Sequence, residues 1–263
     1  MLTEILSVPP EHASTSLVGV RVDRVTQQQA LSMIDQLLAL YQASQRQARC
    51  LQVVTVNPEF VVEAQKNLPF RHAINDASLV VADGMGIVWA TRFLRTPVPE
   101  RITGTDLLPQ IARLSASHGY RLYLLGAAPG IAEIAAARLL ELAPGVQIVG
   151  IYAGSPALEE EDAIIERLAA ASPDIICVAY GAPAQELWIK RNLERLPAGV
   201  AIGVGGAYDF LSGRQRRAPL GMQRLGLEWL YRLYREPWRW RRMLALPHAA
   251  FLVVLKGHGK TWR

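Results

Sequence analysis

The chain has 263 residues, 51% of them apolar and 19% charged, enough for a sizeable core and far from a disordered composition. Its two cysteines, Cys50 and Cys177, exclude a disulfide framework and a paired-cysteine metal site, and both read as buried free thiols beside apolar runs. The net charge of +5 is unevenly divided: residues 214–263 carry 12 Lys and Arg against two acids, Glu228 and Glu236, so the remainder is mildly acidic.

Residues 1–16 read as a leader without the basic start and long apolar run of a signal peptide. Leu17–Val22 is a short strand, and Gln27–Ala43 a helix with Ala30, Leu31, Ile34, Leu37, Leu38 and Tyr41 at helical spacing. Leu51–Val56 is a strand ending at Asn57-Pro58, and Pro58 suits the first turn of a helix to about Asn67. Leu79–Ala82 is a strand that stops at Asp83-Gly84, before a helix to about Leu94. From Arg121 a regular rhythm sets in. Strands at 121–125, 146–151, 175–179 and 200–204 alternate with helices at 130–142, 158–171 and 183–196. The strands are short apolar runs with little alternation, as expected when both faces are buried. The fold class is therefore α/β, a mostly parallel sheet with flanking helices. The rhythm changes near residue 213, which separates a 17–213 core from a 214–263 appendage. Helices are expected there at 222–235 and 237–246, divided by Pro237. The apolar run Ala245–Leu255 is too short to span a bilayer, so a cytoplasmic protein is the default.

Ligands of parallel α/β sheets bind outside the carboxyl ends of the strands. Four such ends carry polar or glycine-rich sequence: Thr55-Val56-Asn57, Asp83-Gly84, Gly181 to Glu186, and Gly203-Val204-Gly205-Gly206. Asp83 directly follows Leu-Val-Val-Ala. A carboxylate there can be partly desolvated and act as a general base, or it can cap the helix that starts at Met85. Gln185, in the first turn after Pro183, is placed to reach a ligand, although an ordinary strand-to-helix turn has the same pattern. The Gly203–Gly206 stretch lets backbone approach a phosphate but is no dinucleotide fingerprint, and there is no Walker lysine motif. Arg101 suits a phosphate or carboxylate partner, or is a surface arginine beside a cap at Thr103 or Thr105. No D-x-D occurs and the five histidines show no ligand spacing, so no catalytic metal is expected.

The appendage interleaves its arginines with Trp229, Trp238, Trp240 and Trp262. That pattern fits an interfacial helix on anionic lipid, a nucleic-acid surface, or a solvated basic face, with Trp and Tyr favouring the lipid interface.

Taken together, these strings resemble the WecG/TagA/CpsF glycosyltransferases of bacterial surface-polymer assembly. Beside the four strand ends, the likeness rests on Arg101-Ile102-Thr103-Gly104-Thr105-Asp106, Ala207-Tyr208-Asp209, Arg217-Ala218-Pro219 and Gly226-Leu227-Glu228-Trp229-Leu230-Tyr231-Arg232-Leu233, and runs from about residue 17 to 245. The resemblance implies a Rossmann-like core and an inverting, metal-independent transfer. The sugar, of N-acetylmannosamine type or another hexose, would move from a UDP-sugar to a polyprenyl-diphosphate-linked saccharide. It implies Asp83 as base, Thr55, Asn57, Arg101 and Gln185 at polar active-site positions, and Gly181, Gly205, Gly206, Asp209 and Arg217 around the donor. It also implies that the appendage docks on the inner face of the cytoplasmic membrane and that Arg232, Arg239 and Arg242 neutralise the departing UDP. Ala82 and Ala184 replace a proline and a lysine frequent in the family, which leaves donor identity open. A nucleotide- or nucleic-acid-binding α/β protein with a basic tail is the alternative. Apolar tail residues also suit a homo-oligomer.

Overall fold

The structure, a computed structural model, describes residues 12–256 except Leu225; for Leu220, Arg224, Arg239, Arg241, Arg242 and Lys256 it describes the backbone alone. The chain opens on an antiparallel hairpin, β1 (Ser14–Leu17) and β2 (Val20–Asp23), where the sequence predicts one strand over Leu17–Val22. Val18 and Gly19 both turn at positive φ, the geometry of tight two-residue hairpins. A β-branched residue at the first turn position conceals that signal. Ser14–Ser16, read as the end of a leader, are thus paired in a strand.

The elements then follow in order. They are α1 (Gln27–Ala43), β3 (Leu51–Val56), α2 (Pro58–Lys66), α3 (Leu68–Asn75), β4 (Leu79–Ala82), α4 (Met85–Phe93), α5 (Gly104–His118) and β5 (Arg121–Gly126). After these come α6 (Ile131–Leu142), β6 (Gln147–Tyr152), α7 (Glu161–Ala171), β7 (Ile175–Ala179), α8 (Ala184–Asn192), β8 (Val200–Gly203) and α9 (Ala207–Leu211). Helix α3 is absent from the sequence reading, because Asn67 closes α2 and also starts the next helix. Its side chain accepts from Phe70 N at 3.1 Å.

Strands β3 to β8 form one six-stranded parallel sheet in the order β4-β3-β8-β7-β5-β6. Both faces are covered. On one, Val53, Leu122, Cys177 and Ile202 pack with Ile34 of α1, Leu107 and Ile111 of α5, Leu139 of α6 and Tyr208 of α9. On the other, Val54 and Val80 pack with Phe60, Phe70 and Ile87, while Tyr123 and Ile176 pack with Leu168, Trp188 and Ile189. Burial on both sides is the physical reason these strands read as unbroken apolar runs. Cys50 and Cys177 are buried free thiols.

Beyond α9 the chain runs into α10 (Leu220–Arg224), α11 (Glu228–Arg235), a 3-10 turn at Pro237–Arg239, α12 (Trp240–Met243) and α13 (Ala245–Lys256). The helix expected over 222–235 is broken at Gly226, which adopts φ +71° and presses on α4: a Cβ there would lie 2.8 Å from Met85 Cβ. Helix α13 packs on α2 and α4, and tolerates Pro247 within its first turn. Among the described residues no helix is long and apolar enough to cross a membrane.

Candidate active site

The four strand ends singled out in the sequence belong to four neighbouring strands, β4, β3, β8 and β7, so their loops leave the sheet along one edge, where parallel α/β sheets form their ligand crevice. Asp83 follows β4 and its amide is held by Val56 O at 2.7 Å. The next loop returns to the same edge, with Ile102 N donating to Ala82 O at 2.7 Å, which sets Arg101 beside Asp83. Gly104 lies close against the turn after β8: a Cβ there would lie 3.1 Å from Val204 O.

Asp83 is not the cap of α4. Gly84 occupies the cap position, with no side-chain hydrogen bond. The Asp83 carboxyl is partly exposed and makes no hydrogen bond among the described residues. Burial is the main influence on it and pushes it up; the Arg101 charge pulls it back, Glu228 raises it again, and Arg232 and Asp106 act more weakly in opposite senses. The outcome is a pKa near neutrality, raised from 3.8 to about 7. A carboxyl in that state takes or releases a proton at physiological pH, and its open face admits a substrate hydroxyl.

A charge network closes over this point. Arg101 pairs with Glu228 of α11 and lies 3.8 Å from Asp106. Arg217 pairs with Asp106 and reaches Glu228 at 3.4 Å. Burial pushes the Asp106 carboxyl up, but hydrogen bonds from Arg217 and Thr103, with the charges of Arg217 and Arg101, hold it below the usual carboxylate range. Thr103 also caps α5, accepting from Asp106 N at 3.1 Å. The network therefore ties the β4 end, the start of α5 and the appendage together. Neither Glu228 nor Asp106 was picked out as a site residue from the sequence. The available signal was compositional: Glu228 is one of two acids among 12 basic residues in the last fifty.

Other expected site residues are distributed as follows. Thr55 is buried and donates to Gly203 O at 3.4 Å, linking β3 to β8. Asn57 caps α2 through its side-chain oxygen, at 3.1 Å from Phe60 N. Asp209 lies 3.5 Å from Arg214. Gln185 departs from the sequence reading: instead of reaching toward a ligand it is turned inward and buried, its Oε1 accepting from Gly181 N at 3.0 Å and Gly205 N at 3.2 Å. Those two amides are consequently engaged within the protein, so these glycines give the crevice its shape rather than amide donors for phosphate. Gly206 lies beside Arg232, whose Nη2 is 3.9 Å from where a Cβ would be.

Arg232 donates to Gln215 Oε1 at 3.3 Å and lies over the Phe210 ring, 5.1 Å from its centroid. With Arg214, Arg216 and Arg235 it lines a cavity of about 530 Å³, against the acids Asp209 and Glu236. The side chains of Arg239 and Arg242, and all of Trp262, lie outside the described residues. Among the described residues no three His, Cys, Asp or Glu side chains form a metal-binding group.

A family model described as the glycosyl transferase WecG/TagA/CpsF family matches residues 15–262. The chain is also similar to proteins named N-acetylglucosaminyldiphosphoundecaprenol N-acetyl-beta-D-mannosaminyltransferase. It is 34% identical to the one from Bacillus spizizenii over 202 residues, 77% of this chain and 78% of that protein. With the Bacillus subtilis protein the identity is 34% over 204 residues, 78% of each. With the Staphylococcus aureus (strain MW2) protein it is 31% over 235 residues, 89% of this chain and 90% of the relative.

Proposed function

The chain belongs to the WecG/TagA/CpsF glycosyltransferase family, and from that premise we propose that it moves an N-acetylmannosamine-type sugar, or another hexose, from UDP onto a polyprenyl-diphosphate-linked saccharide. The observation that carries the reading is Asp83: an accessible carboxyl without a hydrogen-bond partner among the described residues, lifted to about 7, between Arg101 and the appendage. In this reading Asp83 removes the proton from an acceptor hydroxyl as that oxygen attacks the anomeric carbon. The bond to UDP breaks on the opposite face, so the configuration inverts. The leaving diphosphate needs positive charge as it develops, which Arg101, Arg217 and Arg232 supply in this reading, with Thr55 and Asn57 as polar site residues. Gln185 contributes by holding the two glycine turns. Arg239 and Arg242 are assigned the same task from the family resemblance alone. No metal enters the proposal.

Residues 214–263 act in this reading as the membrane-docking part. Trp238, Trp240, Phe251 and Leu255 expose apolar surface in a segment rich in arginine, a combination suited to the boundary of an anionic bilayer. Docking on the inner face of the cytoplasmic membrane would place the crevice next to the diphosphate of a lipid-linked acceptor. Because Glu228 binds Arg101 and Arg217 from the same appendage, the docked tail and the formed site are one arrangement.

The test is a panel of UDP-sugars offered with polyprenyl-diphosphate-N-acetylglucosamine and read by mass spectrometry. The expected result is one hexose-type residue added from one preferred donor. No product from any donor would refute the reading. Flotation with anionic and with zwitterionic vesicles, run beside a gel shift on DNA and RNA, tests the appendage: binding to anionic vesicles alone is expected, and salt-sensitive nucleic-acid binding in its place would favour the alternative.

A further inference from the structure

Glu186 has no part in the mechanism above, yet it is a carboxyl with no exposure to solvent in the first turn of α8. Its Oε1 accepts a hydrogen bond from Gln185 Nε2 at 2.7 Å, and its Oε2 has no partner. Gln52 on β3 donates to the Glu186 backbone carbonyl at 3.2 Å, which fixes this turn of the helix against the sheet. An apolar residue would fill the space without the desolvation penalty of a buried carboxyl, so packing does not account for it.

The neighbouring carboxamide supplies the reason. The two ends of a glutamine amide are nearly the same size, and hydrogen-bond partners alone decide which end points where. At one end of Gln185 stand two backbone donors, Gly181 N and Gly205 N, which require oxygen. At the other end Glu186 Oε1 offers an acceptor, which requires the amide nitrogen. The space is made for this contact, since a Cβ on Gly203 would lie 2.5 Å from Gln185 Nε2 and 2.6 Å from Glu186 Oε1. Gly203 O in turn accepts from Thr55. Thr55 thus ties the end of β3 to that of β8, and Gln185 ties the turn after β8 to the turn after β7.

We propose that Glu186 is a positioning residue that holds the Gln185 carboxamide in one orientation and, through it, keeps the glycine turns after β7 and β8 at the spacing the donor site requires. The functional part of this rests on reading the crevice as the sugar-donor site. Burial supports the same role by lifting the Glu186 carboxyl to about 8 against the hydrogen bond from Gln185, so the group is mostly neutral at pH 7. Glutamine is then its close mimic.

The test compares Glu186→Gln, Glu186→Leu, Gln185→Leu and the double Leu variant by amide exchange at Gly181 and Gly205 and by kcat and KM for the UDP-sugar. Both glycine amides are expected to be protected in the unaltered chain; absence of protection there overturns the proposal without any variant. Glu186→Leu should expose both amides and lower kcat about a hundredfold, the scale expected when a site is misplaced by about 1 Å. Glu186→Gln should restore protection and rate to near the unaltered values. The double variant should be no worse than Gln185→Leu, because Glu186 acts through that residue. Unchanged exchange in Glu186→Leu, failure of Glu186→Gln to rescue, or additive losses would each overturn the proposal. If Glu186→Leu does not fold, Glu186→Gln alone decides, by keeping or losing the two protected amides. Exchange is read without substrate, so failure of this proposal is distinguishable from failure of the transferase reading.

Discussion

The β4 end and the β7 end of the crevice each hold a carboxyl raised by burial, and they treat it in opposite ways. The Asp83 carboxyl is left partly exposed, without a hydrogen bond among the described residues, between charges of both signs. Glu186 is sealed and accepts a bond from an adjacent amide, with no charged side chain among the influences on it. Desolvation alone therefore does not make a base. A raised pKa becomes chemistry only where a substrate proton can reach the oxygen, and elsewhere it yields a neutral structural group.

The contrast is broken most directly at Asp83. Asp83→Asn should lower kcat by a factor of about 10² to 10⁴, the usual contribution of a general base, while raising the melting temperature, because the unfavourable buried charge is gone. A transfer assay beside thermal unfolding checks both halves; retained activity would end the assignment. The next largest effect is the pH dependence of kcat/KM. It should rise by about tenfold per pH unit below neutrality and level off above about 7, as Asp83 loses its proton.

Two substitutions sharpen the comparison by moving that limb in opposite directions. Arg101→Leu removes a charge that favours the carboxylate, so the limb should shift to higher pH. Glu228→Gln removes one that opposes it, so the limb should shift to lower pH. Equal shifts of one sign would show that the network acts through folding rather than through charge. Gly226→Ala should weaken docking of the appendage by roughly 1–2 kcal/mol, the cost of a left-handed backbone for an L-residue, with the contact at Met85 adding to it. Limited proteolysis of the tail would report that change. The smallest effect concerns stability. Both carboxyls have folded pKa values above their ordinary ones, so the folded state holds the extra protons and stability falls as pH rises from about 4 to about 8. Melting curves across that window should show a shallower slope in Asp83→Asn and in Glu186→Gln.

Much of this was legible beforehand where local physics suffices. The apolar runs at Leu51–Val56, Leu79–Ala82 and Ile175–Ala179 coincide with β3, β4 and β7, and the 3.6-residue spacing over Gln27–Ala43 coincides with α1. The hairpin at Val18-Gly19 escaped because a β-branched residue holds its first turn position, and the second helix because Asn67 both closes one helix and starts the next. The direction in which Gln185 points escaped as well. A glutamine in a first turn carries no mark of whether it faces ligand or scaffold, and that depends on two glycine amides brought to it by β7 and β8.

Composition, periodicity and motif order determined by themselves that the chain is an α/β protein whose last fifty residues are strongly basic and that Asp83 lies at the mouth of a strand. These follow from short-range rules: chain stiffness, the spacing of apolar residues and the punctuation of glycine and proline. Only the tertiary structure decided that β4, β3, β8 and β7 are neighbours, that Arg101 and Arg217 are held by Glu228 from more than a hundred and from eleven residues away, respectively, and that of two raised carboxyls one is open and one is sealed. Those outcomes depend on desolvation and on charges distant in sequence, which no local pattern encodes.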